Sequence, residues 1–262
     1  MGTILFEKDG TTGTVIISNR AKKNALTMDM LKTMKTLFEE INDDAELRCL
    51  VLRGDGDESF CAGYDIHAIP SKDEAGEQVL LTTNPFDDMI TAVERVKVPV
   101  ISMMNGIAFG GGLELACTGD IRIASDQAVF GMTPAKLGII YRPSGLMRFV
   151  NIIGVQFTKE LFFTARLVSA RRAAEIGLVN RIVPPEELEQ VVNETAREIA
   201  ENAPLSIQGT KRLLGMCLEH WRLDEEKVRE ADELIKKCMG SDDLVEGKRA
   251  FQEKRKPRFR GR

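Results

Sequence analysis

The stretch Asn105-Gly106-Ile107-Ala108-Phe109-Gly110-Gly111-Gly112-Leu113-Glu114-Leu115-Ala116 follows an apolar run, Val100-Ile101-Ser102-Met103, and leads into helix-forming residues. Three consecutive glycines at such a junction permit backbone conformations closed to other residues and let a ligand come close to the main chain. The first N–H groups of a helix have no intrahelical acceptor, so at this turn they are suited to an anion or a developing oxyanion. A tight strand-to-helix turn with no ligand would use the same glycines, and the triplet alone does not separate the two readings. Glu114 follows in the first helical turn.

Upstream, Ser59-Phe60-Cys61-Ala62-Gly63-Tyr64-Asp65-Ile66 is a second glycine-containing turn after an apolar run, Leu50-Val51-Leu52. Together with Thr14-Val15-Ile16-Ile17 and Ile121-Arg122-Ile123-Ala124, these β-branched runs read as strands separated by segments of helical periodicity, which predicts α/β layers. Thr27 is a good N-cap for a helix in which Met30, Leu31, Met34, Leu37, Phe38 and Ile41 recur on one face. From Ser169 strand signals give way to helical patterns over Ala170–Ile176, Pro185–Glu201, Pro204–His220, Asp224–Met239 and Asp243–Glu253. The expected organisation is one unit, residues 1–262, with a core over 1–168 and a helical region over 169–262.

Composition limits the function classes. The 262 residues carry a net charge of −4, which gives no general attraction to nucleic acid or membranes, so an anionic ligand must be met by local basic clusters. Arg20, Lys22 and Lys23 form one such cluster. The tail from Lys248 to Arg262 forms the other. No apolar run approaches the roughly 20 residues of a membrane span, and Met1 to Gly10 lacks the pattern of a signal peptide, so a cytoplasmic protein is expected. The cysteines (Cys49, Cys61, Cys117, Cys217, Cys238) have no CxxC spacing and read as small buried hydrophobes rather than a disulfide framework or a metal site.

The two glycine turns resemble the paired signatures of the crotonase (enoyl-CoA hydratase/isomerase) superfamily, F-x-A-G-x-D-[IL] and G-x-x-x-G-G-G-x-E-L, in order and separation. Further similarity runs along almost the whole chain: Lys23-Asn24-Ala25-Leu26, Ser169-Ala170, Gly177-Leu178-Val179-Asn180, Ala203-Pro204 and Glu246-Gly247 to Lys256-Pro257. The resemblance implies a spiral of ββα turns with a helical C-terminal region, assembled as a homotrimer or a dimer of trimers. It implies an acyl-CoA substrate, no cofactor beyond the coenzyme A carried by that substrate, and an oxyanion hole made by the backbone N–H groups of Tyr64 and Gly111. The adenosine part of coenzyme A would lie beside Lys22–Leu26, with Ala25, Ala62 and Ile66 contributing contacts. Lys22, Lys23 and a tail lysine such as Lys254 from a neighbouring subunit would meet the phosphates. For each lysine a solvated surface role is an equal alternative.

Hydratases of this superfamily pair the glutamate of G-G-G-x-E-L with a second one in F-G-x-P-E-x-x-L-G. Here the second element reads Phe130-Gly131-Met132-Thr133-Pro134-Ala135-Lys136-Leu137-Gly138, so Pro134 stands where the second glutamate would be. The element continues to Tyr141, one of only two tyrosines in the chain; the other is Tyr64. A neutral phenol donates a hydrogen bond without adding charge. The pattern Ala62 to Pro70 together with Leu137-Gly138 and Tyr141 is most similar to the methylmalonyl-CoA decarboxylase branch, which implies that Tyr141 binds the carboxylate to be lost as CO2. Glu114 is expected to order water or to protonate the enolate. The sequence departs from that branch in carrying Tyr64 where a histidine is usual. A one-glutamate hydratase or double-bond isomerase, and an RNA-binding member using the basic tail, are the alternatives; of the two histidines, His67 and His220, the first is expected to serve local packing or a surface bond rather than acid/base work.

Overall fold

A computed structural model describes residues 2–64, 85–219 and 225–260. Ile66, His67 and the rest of the pattern to Pro70, as well as His220, lie outside the described residues.

The strands are β1 (Thr3–Asp9), β2 (Thr12–Ser18), β3 (Cys49–Gly54), β4 (Ser59–Cys61), β5 (Val100–Met104), β6 (Ile107–Phe109), β7 (Ile121–Ser125), β8 (Val129–Gly131), β9 (Val168–Ser169) and β10 (Arg181–Val183). The helices are α1 (Met28–Ile41), α2 (Pro85–Glu94), α3 (Gly111–Thr118), α4 (Pro134–Leu137), α5 (Pro143–Thr164), α6 (Ala170–Glu175), α7 (Pro185–Glu201), α8 (Pro204–Glu219), α9 (Glu225–Met239) and α10 (Asp242–Gln252). One sheet has the order β1-β2-β3-β5-β7-β10; the other runs β4-β6-β8-β9. The pairs β3/β4, β5/β6 and β7/β8 each give their first strand to the larger sheet and their second to the smaller one, and a helix follows. This is a repeating ββα spiral. Within it the strands pair in parallel, and antiparallel pairing is confined to β1 with β2 and β8 with β9.

Both faces of the larger sheet are covered at its central strands β3, β5 and β7, which explains why these read as continuous apolar runs. Leu50 and Leu52 of β3 point into the main core with Phe38, Phe60, Phe130 and Phe149. Their neighbours Cys49 and Val51 point the other way, onto Leu188, Val191, Val192 and Ala196 of α7. Helix α1 forms as its periodicity predicts: the Thr27 hydroxyl accepts from the N–H of Met30 at 3.4 Å, and Met30, Leu31, Met34, Phe38 and Ile41 are buried.

Several features differ from the sequence expectation, beginning with β4, β6, β8 and β9, which at two or three residues each leave no periodic signal. Strand β1 was not anticipated, because most of its residues are exposed and its alternation is weak. Strand β10 lies in the stretch read as wholly helical; three residues are too few to leave a periodic signal. Cys217 is exposed and Cys238 half-buried, whereas Cys49, Cys61 and Cys117 are buried as expected. Cys217 sits on α8, a helix with no buried residue among those described.

The basic tail folds back on α10. Arg255 pairs with Glu246 at 2.6 Å and with Glu253 at 2.5 Å, Arg249 pairs with Glu253 at 2.9 Å, and Lys248 is buried. Arg249 and Arg255 are thus paired with carboxylates of α10 and the turn after it. No described helix is long and apolar enough to cross a membrane.

Candidate active site

Two turns meet at the junction between the sheets. In the first, Lys23 (φ 52°) and Asn24 (φ 57°) adopt left-handed conformations that reverse the chain after a single 3₁₀ turn at Arg20–Lys22. The buried Asn24 amide holds this shape: its Nδ2 donates to the carbonyls of Ser59 (2.7 Å) and Asp55 (3.0 Å), and its Oδ1 accepts from the N–H of Asn19 (3.0 Å). The Ala62 N–H then donates to Lys23 O (2.9 Å), and the Leu26 N–H to Gly63 O (2.8 Å). Four candidate coenzyme A contacts are thereby gathered on one edge, with Lys22 and Lys23 exposed and Ala25 and Ala62 half-buried. Lys254 is exposed at the end of α10, which packs on α4 and α9 rather than on this turn.

In the second turn Gly110 has φ 51° and ψ −121°, a conformation open essentially to glycine, and its N–H donates to Gly131 O at 2.9 Å. A side chain at Gly63 (φ 102°) would sit 2.8 Å from Phe109 O and 3.5 Å from Gly111 N; one at Gly111 would lie 3.7 Å from Tyr64 N. The glycines let two backbones come into van der Waals contact, with the Tyr64 and Gly111 N–H groups on facing turns. Gly112 packs against the Cys61 carbonyl so closely that a methyl group there would overlap it. The Tyr64 hydroxyl donates to Met28 Sδ, which ties the phenol to the start of α1.

Glu114 is 5% exposed, on the turn of α3 after the glycines. Burial pushes its pKa up to about 7; the Arg148 guanidinium opposes this, while the charges of Asp87 and Glu94 add to it. A helix N-terminus favours the ionised carboxylate, so an acid role needs burial to outweigh the dipole, and only the folded protein supplies that burial. Its Oε1 accepts from Arg148 Nη1 at 2.6 Å. Room for the carboxyl comes from Gly145 on α5, where a Cβ would lie 2.7 Å from Oε1.

Tyr141 stands just ahead of α5, its ring edge-on to Phe162 with centroids 5.4 Å apart. Its hydroxyl lies 3.7 Å from the place a Gly110 Cβ would take. Burial, followed by the charges of Glu114 and Asp87, raises the phenol well above its ordinary pKa, so it stays protonated and able to donate. Pro134 is the first residue of α4 and is buried; it brings no carboxylate to the site.

Sequence reasoning missed Arg148, Glu94, Arg142, Asp87 and Phe86. Arg148 donates to both Glu114 and Glu94; Arg142 pairs with Asp87 (2.8 Å) and Asp232 (3.5 Å); Phe86 reaches within 3.0 Å of a Cβ at Gly111. A signal for Arg148 was present: it is the charged residue on the otherwise apolar stripe Gly145, Phe149 and Ile153 of α5. No group of three His, Cys, Asp or Glu side chains able to hold a metal ion occurs among the described residues.

Two glycine-containing turns in close contact, a carboxyl poised near neutrality and a protonated phenol are compatible with an enzyme that forms and quenches an oxyanion. The family follows from comparison with known proteins. The enoyl-CoA hydratase/isomerase family model matches residues 7–262, and the chain belongs to that family. It is 34% identical over 258 residues to the short-chain-enoyl-CoA hydratase of Clostridium acetobutylicum, covering 98% of this chain and 97% of that one. It is equally 34% identical, over 241 residues, to the methylmalonyl-CoA decarboxylase of Escherichia coli K12, covering 92% and 91%. Among solved structures, methylmalonyl-CoA decarboxylase complexed with 2S-carboxypropyl CoA superposes with a TM-score of 0.92 at 31% identity, over 99% of this chain and 98% of that one. The enoyl-CoA hydratase of Bacillus anthracis, also 31% identical, gives 0.76 over 99% of both chains.

Proposed function

We propose that the protein decarboxylates a malonyl-type CoA thioester, methylmalonyl-CoA or malonyl-CoA, to the corresponding acyl-CoA and CO2. The observation that carries this reading is the Tyr141 phenol beside the Gly110 turn, in a chain whose sequence has Pro134 in place of the second hydratase glutamate. At equal identity, the closer superposition on the decarboxylase than on the B. anthracis hydratase supports it.

In this mechanism the Tyr64 and Gly111 N–H groups receive the thioester oxygen. Tyr141 donates to the substrate carboxylate and holds it out of the thioester plane, aligning the breaking C–C bond with the carbonyl π system. As that bond breaks its electron pair enters the thioester as an enolate, and CO2 departs. Each backbone donor contributes roughly 3 kcal/mol by strengthening as the oxygen gains charge. Glu114 then protonates the α-carbon. Lys22, Lys23, Ala25, Ala62 and Ile66 bind the coenzyme A moiety, and Lys254 reaches its phosphates from a neighbouring subunit. The active form is a homotrimer or dimer of trimers in the cytoplasm. Leu205, Leu213 and Leu214 of α8, each more than 60% exposed in the single chain, support subunit association.

A second reading, a hydratase or isomerase using Glu114 alone, is favoured by the C. acetobutylicum relative and by the carboxyl poised near pH 7. Incubation with methylmalonyl-CoA and, separately, with crotonyl-CoA separates the two. CO2 release from the first is expected; none, alongside hydration of the second, overturns the decarboxylase reading. Tyr141→Phe is expected to lower the rate of CO2 release about 100-fold by removing one transition-state donor, and unchanged turnover would take the phenol out of the mechanism.

A further inference from the structure

Arg148 reaches Glu114 from α5 and Glu94 from the end of α2. Its Nη1 donates to Glu114 Oε1 at 2.6 Å, while Nη2 and Nε donate to Glu94 Oε1 at 2.7 and 3.2 Å. The guanidinium side chain is 10% exposed, Glu114 7% and Glu94 48%, so a buried cation links a buried acid to a half-exposed one. Two physical consequences follow. A guanidinium has donors only, so the Glu114 oxygen it contacts must accept; the carbonyl oxygen is the better acceptor, which favours Oε2 for the proton. A buried cation also needs a counter-ion at all times. When Glu114 is protonated, Glu94 still balances Arg148.

We propose that Arg148 and Glu94 are positioning residues for the Glu114 proton: Arg148 favours Oε2 for it, and Glu94, as the resident counter-ion of Arg148, lets Glu114 become neutral. The proposal rests on the reading of Glu114 as proton donor. Among the described residues, the groups facing Glu114 are Arg148 from α5, Asp87 and Glu94 from α2, Tyr141 ahead of α5, and Cys117 on α3 itself. Asp87 is held by Arg142 at 2.8 Å, whereas Glu94 shares its arginine with Glu114 and is thereby coupled to its proton. Without Glu94, the buried guanidinium would have to draw its compensation from an ionised Glu114.

The test is an infrared titration of the protonated carboxyl band of Glu114 in the ligand-free protein, assigned by its loss in Glu114→Gln, alongside kcat for CO2 release against pH. In Glu94→Gln the midpoint is expected to fall below the wild-type value. In Arg148→Met it is expected to rise by about 1–3 pH units, and Arg148→Lys, which keeps the charge, should bring it back toward wild type. Opposite movements of the two midpoints support the array; unchanged midpoints, or movement in the same direction, overturn it. If Arg148→Met does not fold, Glu94→Gln at its half-exposed position decides alone: a lowered midpoint supports the proposal and an unmoved or raised one refutes it. If the band midpoints move as expected while the rate profile stays fixed, the array stands and the proton-donor role of Glu114 is what fails.

Discussion

Glu114 combines two opposed influences, a helix terminus and an arginine that favour its charge and a burial that disfavours it, and burial prevails. This has a consequence for stability. The folded pKa is raised to about 7 from an ordinary value of 4.5, so between these limits the unfolded chain releases its proton while the native chain retains it. Stability therefore falls as pH rises through that window and levels off above it, by an amount on the order of 3 kcal/mol. Glu114→Gln has no such proton. Its melting temperature relative to wild type should rise between pH 5 and pH 8; a constant difference would mean that the Glu114 carboxyl ionises in the native state as freely as in the unfolded one.

Among the elements, α3 is the one that the glycines place. Gly110 supplies the turn, Gly111 the close approach to Tyr64, and Gly112 the seat of the helix on β4. An alanine at 112 would put its Cβ onto the Cys61 carbonyl, which belongs to backbone and cannot swing aside. Gly112→Ala is expected to destabilise the fold by about 1–3 kcal/mol, measured by urea unfolding, and to lower activity by displacing Gly111. Wild-type stability would show that α3 can slide along β4 without cost. Asn105 anchors the other end of the same connection: its Nδ2 donates to the carbonyls of Gly56 (2.5 Å) and Ser59 (3.2 Å), joining β5 to the β3–β4 turn.

At the scale of the molecule, the ββα core is closed on both faces while α8 is not. Lys211 fastens α8 to the end of the sheet, donating to Asp120 at 2.6 Å and to Val98 O at 2.9 Å, yet the leucines around it remain exposed. Association of subunits through this helix would bury them. On the proposed trimer, Leu213→Asn combined with Leu214→Asn is expected to lower the sedimentation coefficient toward that of a single chain of 29.1 kDa; an unchanged coefficient would mean that α8 is not where the subunits meet.

The sequence by itself determined what depends on local backbone rules. Consecutive glycines announce a turn at 110–112, Thr27 and the stripe behind it announce α1, and β-branched runs announce β2, β3, β5 and β7, because side-chain sterics and periodicity act over a few residues. It also places Tyr64 and Gly111 in glycine-containing turns after strands, which the fold brings into contact. Only the tertiary structure decided the electrostatics. Arg148 meets a carboxylate 34 positions away at Glu114 and another 54 positions away at Glu94, and Gly145 leaves room for the first. Whether Glu114 is charged depends on how much water and which charges surround it. Those are set by the packing of α2, α3 and α5 together, and no single segment encodes them.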